Sequence, residues 1–303
     1  MKEPHFKQAT IIGLGLIGGS IAAGLRARGL AEKIVAFDQN ADSLRDGLVR
    51  GIIDAAADSI REAVAAADLV IVCVPILAMR QLLHDLTPLF DDGPRVNPVV
   101  VTDVGSVKLS LLEAARDLFG RVPANLVPGH PIAGSEKHGV GAADALLFDQ
   151  HKVILTPAPE TDPVATGQVA AMWRALGSEV VEMDAAHHDE VLAQTSHLPH
   201  LLAFALVDTL SSQGDSLEIF DYAAGGLRDF TRIAASDPVM WRDVFAANRA
   251  PVLAILDRYM ADLDRLRGLI EQGRTEELVE VFGRAKAARD HFSMLLEQRT
   301  KRN

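Results

Sequence analysis

Ile11-Ile12-Gly13-Leu14-Gly15-Leu16-Ile17-Gly18-Gly19-Ser20 sets β-branched residues, a G-x-G-x-x-G spacing and the start of an apolar helical pattern in one run. Asp38 closes the next β-rich run, twenty residues after Gly18. The glycine spacing alone is weak evidence, but with a strand before it, a helix after it and an acid at that distance it predicts a dinucleotide site. Gly13 permits the tight turn, Gly15 lets backbone approach a pyrophosphate, and Gly18 lets the helix pack closely on the strand. Leu16 and Ile17 complete the turn, and the amides exposed at the helix start carry the partial positive charge that holds phosphates. Asp38 can accept hydrogen bonds from ribose hydroxyls and would repel a 2′-phosphate, and Gln39 after it offers that phosphate no cation. NAD is therefore the expected cofactor, and no second segment of the kind FAD would need is found.

Outward from this turn, short β-rich runs alternate with helical stretches. The runs are Ala9–Ile12, Lys33–Phe37, Leu69–Val74, Pro98–Thr102 and Asn125–Val127, separated by segments such as Ile17–Arg28 and Met79–Leu86. The alternation predicts a Rossmann-type α/β domain, a parallel sheet with helices on both faces. Lys152–Leu155 and Glu179–Met183 are further strand candidates around a helix that starts near Pro163 and ends before Gly177. The loop at Val74 and Pro75 follows a parallel strand at the carboxyl edge of the sheet, so it is either a second cofactor contact or an ordinary turn. Beyond Asp184 apolar residues recur at helical spacing, from Val252 and Ile255 through Leu266 and Ile270, until Gly273 breaks the pattern and Thr275 can cap a last helix. The expected domains are residues 1–184, binding NAD, and residues 185–303, all-helical. The wide apolar stripes of the second predict a homodimer through the C-terminal helices.

The composition bounds the partners. A formal charge of −11 over 303 residues opposes nonspecific binding to nucleic acid or to an anionic membrane, so neither is an expected partner. An anionic substrate would need a local cation. No apolar run reaches the roughly 18–20 residues of a membrane span, and the polar start Met1–Gln8 leads straight into a strand, so a cytoplasmic protein is expected. Cys73, the single cysteine, lies in an apolar run and reads as a small buried hydrophobe.

Hydride abstraction from an alcohol carbon needs a base for the hydroxyl proton, and histidine suits that task near neutral pH. His130, between Pro128 and Pro131 after the run Asn125–Val127, is expected in a loop at the carboxyl edge of the sheet, either as a base beside the nicotinamide or as a structural hydrogen-bonder. Ser106 lies at the same edge, and it either orients His130 or the substrate hydroxyl or caps the following helix. His197 and His200, three apart, share a helical face and have His187, His188 and Glu190 upstream, a set that raises a metal site, but no third ligand has a convincing spacing and no metal is expected. Arg232, among Ile233, Ala234 and Ala235, either grips a carboxylate or joins a salt bridge.

Taken together, GLGLIGGS, DVGSVK, GHPIAGSEKHGV, VILTP, SHLPHLLAFAL and GGLRDFTRIAASDPVMWRDVF, in that order over nearly the whole chain, resemble the prephenate and arogenate dehydrogenases, the cyclohexadienyl dehydrogenases of tyrosine biosynthesis. The resemblance implies a nucleotide domain followed by a helical dimerisation domain, and an NAD-dependent oxidative decarboxylation of a small dianionic substrate. It implies that His130 takes the ring 4-hydroxyl proton as hydride leaves the same carbon, with Ser106 in support. Arg232 would clamp a substrate carboxylate, His200 would meet the substrate side chain, and Ser135 and Glu136 would line the pocket and gate or help select the substrate. His197 would be a structural neighbour. Prephenate and arogenate differ by keto against ammonium, and Glu136 could pair with the ammonium. Neither a strand-rich C-terminal regulatory domain nor a fused mutase segment is recognised, so any inhibition by tyrosine is expected at the active site. Two other readings remain open at this point. One is a different NAD-linked dehydrogenase or reductase with a helical second domain, of the β-hydroxyacid or pyrroline-carboxylate kind, which would ordinarily carry a lysine or another polar set where SHLPH stands. The other is an NAD-sensing protein without turnover, which would need no aligned base and clamp.

Overall fold

The computed structural model describes residues 5–90, 99–134, 137–212 and 220–302. Strands β1 (Phe6–Ile12), β2 (Ala31–Phe37), β3 (Ala55–Ala56), β4 (Leu69–Val72), β5 (Val100–Asp103) and β6 (Leu126–Val127) form one parallel sheet in the order β3-β2-β1-β4-β5-β6. Side chains alternate across it: Ile11 and Ile71 enter one buried cluster with Ile21, Leu25 and Trp173, while Ile12, Val70 and Val72 enter another with Leu82 and Leu111. Both faces are covered, which is why these strands read as continuous apolar runs. Each fully buried Leu or Ile contributes roughly 1.5–3 kcal/mol.

The register decides where chemistry can sit. Ile12 pairs with Phe37 on one side and Val72 on the other, and Val72 pairs with Asp103. The segments that follow these strands, at Gly13, Asp38, Cys73–Pro75 and Val104–Lys108, therefore leave the sheet along one carboxyl edge. The order reverses between β1 and β4, where a crevice opens in sheets of this kind.

Helices α1 (Leu16–Ala27), α2 (Ala41–Val49), α3 (Ile60–Val64), α4 (Met79–Asp85) and α5 (Leu109–Phe119) follow the strands, and α6 (Pro163–Ala175) comes later. Proline at the first position of α6 and the Asp162 carboxylate accepting from the Val164 amide start that helix as the sequence predicts. A second sheet joins β7 (Gly129–Pro131), β8 (Lys152–Leu155) and β9 (Glu179–Glu182), with β7 antiparallel and β9 parallel to β8. Gly129–Pro131 is thus a strand, where the two prolines suggested a loop. The ladder runs through the Pro128 carbonyl and the Ile132 amide, which bond to Thr156 and Lys152, so it asks for no proline N–H at these points.

After β9 the described residues are helical: α7 (Ala185–Leu192), a π turn at Ala193–His197, α8 (Leu198–Ser211), α9 (Gly225–Thr231), a 3-10 turn at Arg232–Ala235 and α10 (Pro238–Ala247). α11 (Arg249–Glu271) and α12 (Thr275–Arg302) follow, with Gly273 at φ +65° in the break between them. Thr275 stands as the first residue of α12 and not before it. By compactness the chain divides into Met1–Arg249 and Ala250–Asn303. In the second unit Met260, Leu263, Ile270, Phe282 and Phe292 of the expected stripes are exposed, and so are Val279 and Met294. Among the described residues no helix is long and apolar enough to cross a membrane.

Candidate active site

Gly13 takes φ +95°, and a Cβ there would stand 2.4 Å from the Cys73 carbonyl oxygen. A Cβ on Gly18 would fall 2.0 Å from the Gly13 carbonyl oxygen and 3.0 Å from Ile11, so the close seating of α1 on β1 demands glycine. Gly15 differs, because a Cβ there meets nothing within 4 Å. The chain does not fill that space, which is what a turn that admits a phosphate to its amides requires. Leu16 and Ile17 begin α1 directly after it. The Asp38 carboxylate is tied into the turn, accepting from the Leu14 amide at 2.6 Å and the Asn40 amide at 2.8 Å, and it keeps acceptor capacity for ribose hydroxyls. Val74 and Pro75 follow β4 at the same carboxyl edge, with Pro75 leading a short 3-10 turn at Ile76–Ala78. Burial and Asp103 push the Cys73 thiol upward, so it stays protonated and inert. These residues fit NAD in both turn geometry and acid placement.

His130 is buried at 9% exposure in β7. The residue before it, Gly129, is clasped from the end of β5. Asp103 accepts from the Gly129 amide at 3.1 Å, and the fully buried Lys108 ammonium donates to the Gly129 carbonyl at 2.7 Å and to Asp103 at 2.5 Å. Its ring Nδ1 lies 2.9 Å from Nε2 of His188, and Nδ1 of His188 lies 2.7 Å from Oδ1 of Asp189, both on α7. Burial first, then His188, Lys108 and His197, hold the His130 pKa well below 6.5, so the ring is neutral at neutral pH. Burial also lowers Lys108, with Asp103 opposing.

Ser106 is half-buried in the bend whose two ends, Asp103 and Lys108, clasp Gly129. It does not cap α5: that helix starts under the Asp189 carboxylate, which accepts from the Lys108 and Leu109 amides at 2.9 Å each.

The π turn brings His197 inward and leaves His200 half-buried on α8. Asn248 donates to His197 Nδ1 at 3.0 Å and to the Asp189 carbonyl at 2.8 Å. His197 is lowered to about 4, by burial against the opposing pull of Asp189. His200 donates from Nδ1 to the Ser196 carbonyl at 2.9 Å and stacks on Trp241 at 3.8 Å between centroids. Burial lowers its pKa, the Ser196 contact opposes, and the Arg232 guanidinium lowers it further, which places that cation within electrostatic reach of the ring. Arg232 itself opens the 3-10 turn and is exposed. Of the upstream pair, His187 is exposed beside Glu190 at 3.9 Å while His188 is buried, so the two do not converge on one ligand. Ser135 and Glu136 lie outside the described residues.

The structure therefore brings His130 together with Lys108, Asp103, His188 and Asp189, none of which the sequence reading assigned a role. Asp103 and Lys108 were in view within DVGSVK, five residues apart around a glycine. His188 and Asp189 carried no signal beyond a histidine pair near the start of a helix.

Residues 21–182 match the model of the prephenate dehydrogenase nucleotide-binding domain, and residues 184–284 that of the prephenate dehydrogenase dimerization domain. The chain is 38% identical to a cyclohexadienyl dehydrogenase of Zymomonas mobilis, over 94% of this chain and 95% of that one. It is 37% identical to a prephenate dehydrogenase of Bacillus subtilis, over 92% of this chain and 74% of the relative. A crystal structure of prephenate dehydrogenase from A. aeolicus, solved with hydroxyphenyl propionate and NAD+, superposes with a TM-score of 0.86 at 37% identity, covering 94% of this chain and 98% of that one.

Proposed function

The chain belongs to the prephenate dehydrogenase family, and from that premise we propose that it is an NAD-dependent prephenate or arogenate dehydrogenase with His130 as its base. The single observation that carries the assignment of the base is a buried imidazole, held by Asp103 and Lys108 through Gly129 at the carboxyl edge of the sheet that also bears the Gly13–Gly18 turn and Asp38.

When bound, NAD supplies the hydride acceptor. Gly13, Gly15, Leu16, Ile17 and Gly18 hold its pyrophosphate, Asp38 its adenosine ribose, and Val74 and Pro75 flank it. His130 takes the ring hydroxyl proton as the C–H bond at that carbon breaks. The bond to the ring carboxylate breaks as carbon dioxide leaves, and its electron pair completes the aromatic ring. The proton then returns from His130 to the phenolic oxygen, so the enzyme ends as it began. Ser106 supports the hydroxyl contact. Arg232 and His200 hold the substrate side chain, the guanidinium supplying the fixed cation that a dianion needs on a protein of charge −11. Ser135 and Glu136 complete the pocket and bear on the choice between keto and ammonium.

The functional division falls at residues 184 and 185, between nucleotide binding and the helical part, and the exposed apolar residues of α11 and α12 pair two copies into a homodimer. The protein works in the cytoplasm.

The test is NADH formation by the purified chain with prephenate and with arogenate in turn. Turnover of at least one is expected. Absence of turnover with both overturns the assignment, and the ratio of the two kcat/KM values gives the preference.

A further inference from the structure

The hydrogen bonds around His188 determine more than its own position. Asp189 accepts from two helix amides and from Nδ1 of His188, while Asn248 grips its backbone carbonyl. Both oxygens of the Asp189 carboxylate already accept from amides, so it acts as acceptor here too and Nδ1 of His188 carries the proton. With a single proton on His188, at Nδ1, its Nε2 is bare and accepts from Nδ1 of His130 across the 2.9 Å contact. The nitrogen of His130 left without a proton is Nε2. One fixed acceptor thus sets the tautomer of two rings in series, much as a partner behind a histidine selects which nitrogen is free.

We propose that Asp189 and His188 are positioning residues for His130, fixing the tautomer whose Nε2 is free to act as base and receiving its Nδ1 proton while Nε2 holds the substrate's. This rests on the reading of His130 as the base. The proton count balances: the substrate O–H bond breaks as N–H forms at His130 Nε2, and the His130 Nδ1 proton passes to His188 Nε2. His188 becomes an imidazolium beside ionised Asp189. Both transfers reverse when the phenolic oxygen is reprotonated, and no electrons move between residues.

The surroundings of His130 make such an outlet useful. The groups that face it are Lys108, already paired with Asp103, together with His197 and His188. All of them raise the cost of a charge left on a buried His130. One ring further on, the same charge lies 2.7 Å from a carboxylate.

The test uses the full chain labelled with 15N in histidine. Long-range 1H–15N correlation at neutral pH is expected to show His130, identified by its loss in His130→Asn, protonated at Nδ1 and bare at Nε2. A His130 protonated at Nε2 in the unsubstituted protein overturns the proposal, and that readout needs no substrate. His188→Gln keeps an acceptor facing His130 but cannot carry charge, and His188→Leu removes both functions. In the folded variants kcat is expected to fall roughly 10–100-fold for glutamine, which keeps the tautomer, and ~1000-fold or more for leucine, the latter within the range seen when a base or its tautomer is lost. KM and the Kd for NAD should stay within about threefold, since both residues act through the His130 ring and not on substrate or cofactor directly. A leucine variant that loses stability but keeps its kcat assigns His188 a structural role and overturns the proposal. No turnover with either substrate, alongside the expected tautomer, removes the functional reading of His130 and leaves the hydrogen-bond order standing.

Discussion

Gly15→Ala and Gly18→Ala add the same methyl group three residues apart and should fail in different ways. Gly15 has φ −87° and ψ −155°, extended backbone that alanine adopts, and its added Cβ meets no atom of the chain within 4 Å. Loss of unfolded-chain freedom favours the variant by about 0.4–1 kcal/mol. Alanine is a poorer start to α1 than glycine by a similar amount, about 0.5–1 kcal/mol. The two nearly cancel, so the stability of the unliganded protein should move by less than about 1 kcal/mol. The methyl does occupy the approach to the helix amides. Loss of one charge-assisted bond to a phosphate is worth about 1.5–3 kcal/mol, which at about 1.4 kcal/mol per decade raises the Kd for NAD roughly 10–100-fold. At Gly18 the methyl would fall 2.0 Å from a backbone oxygen of the turn, which cannot rotate away, so α1 must lift from β1. Such overpacking costs about 1–3 kcal/mol or more, and it spoils the cradle at the same time. Thermal unfolding without cofactor, with titration of NAD against protein fluorescence, separates the outcomes. Unchanged NAD affinity in Gly15→Ala, or equal stability of the two variants, refutes this account of the turn.

His130→Asn should retain NAD binding and lose roughly 100- to 10,000-fold in kcat, and near-normal turnover would move the base elsewhere. Arg232→Ala should act mainly on KM, whereas a loss confined to kcat would mean that the guanidinium acts on the transition state. Because burial holds His130 well below 6.5, kcat/KM should stay level as pH falls through 6.5 and decline only beneath it; an acid limb centred at or above 6.5 contradicts the neutral, buried base. Stability follows the same sign: His197 and His130 are neutral when folded but take up protons near 6.5 when unfolded, so the stability they permit is whole above 6.5 and is lost as pH falls towards about 4, measurable as a falling unfolding midpoint.

The fold was legible where periodicity and glycine chemistry act locally. The strand at Lys152–Leu155 coincides with its expected bounds, and helix α6 starts at Pro163 because the Asp162–Pro163 pair states its own boundary. Gly129–Pro131 looks like a loop in the sequence for a physical reason. Two prolines argue against a ladder unless the bonds happen to fall on the flanking residues, and only the pairing of β7 with β8 reveals that they do. β3, two residues long, has too little length to show a period.

In the site, the legible residues were those whose chemistry is visible alone: glycines at fixed spacing, an acid at the end of a strand, a histidine between prolines, an arginine among small residues. What stayed hidden depends on pairs far apart in the chain. Asp189 lies 81 residues from Lys108, yet its carboxylate starts α5, and His188 lies 58 residues from the ring it supports. No local rule links them. Nor does burial explain the arrangement, since taking Lys108 and Asp103 out of water costs several kcal/mol per ion before their attraction and the Gly129 contacts offset it. That cost makes sense as geometry. The pair fixes the backbone of Gly129 from both its N–H and its C=O, while Asp189 and His188 fix the ring of His130 from behind, so the strand and the side chain it carries are located independently. Lys108→Met should therefore lose about 3–5 kcal/mol of stability by leaving Asp103 buried with only amide partners. Its folded fraction should also show a lower kcat, because β7 is then held from one side. If stability falls and the kcat of the folded protein does not, the clasp serves the fold alone, and the precision of His130 comes from His188 and Asp189.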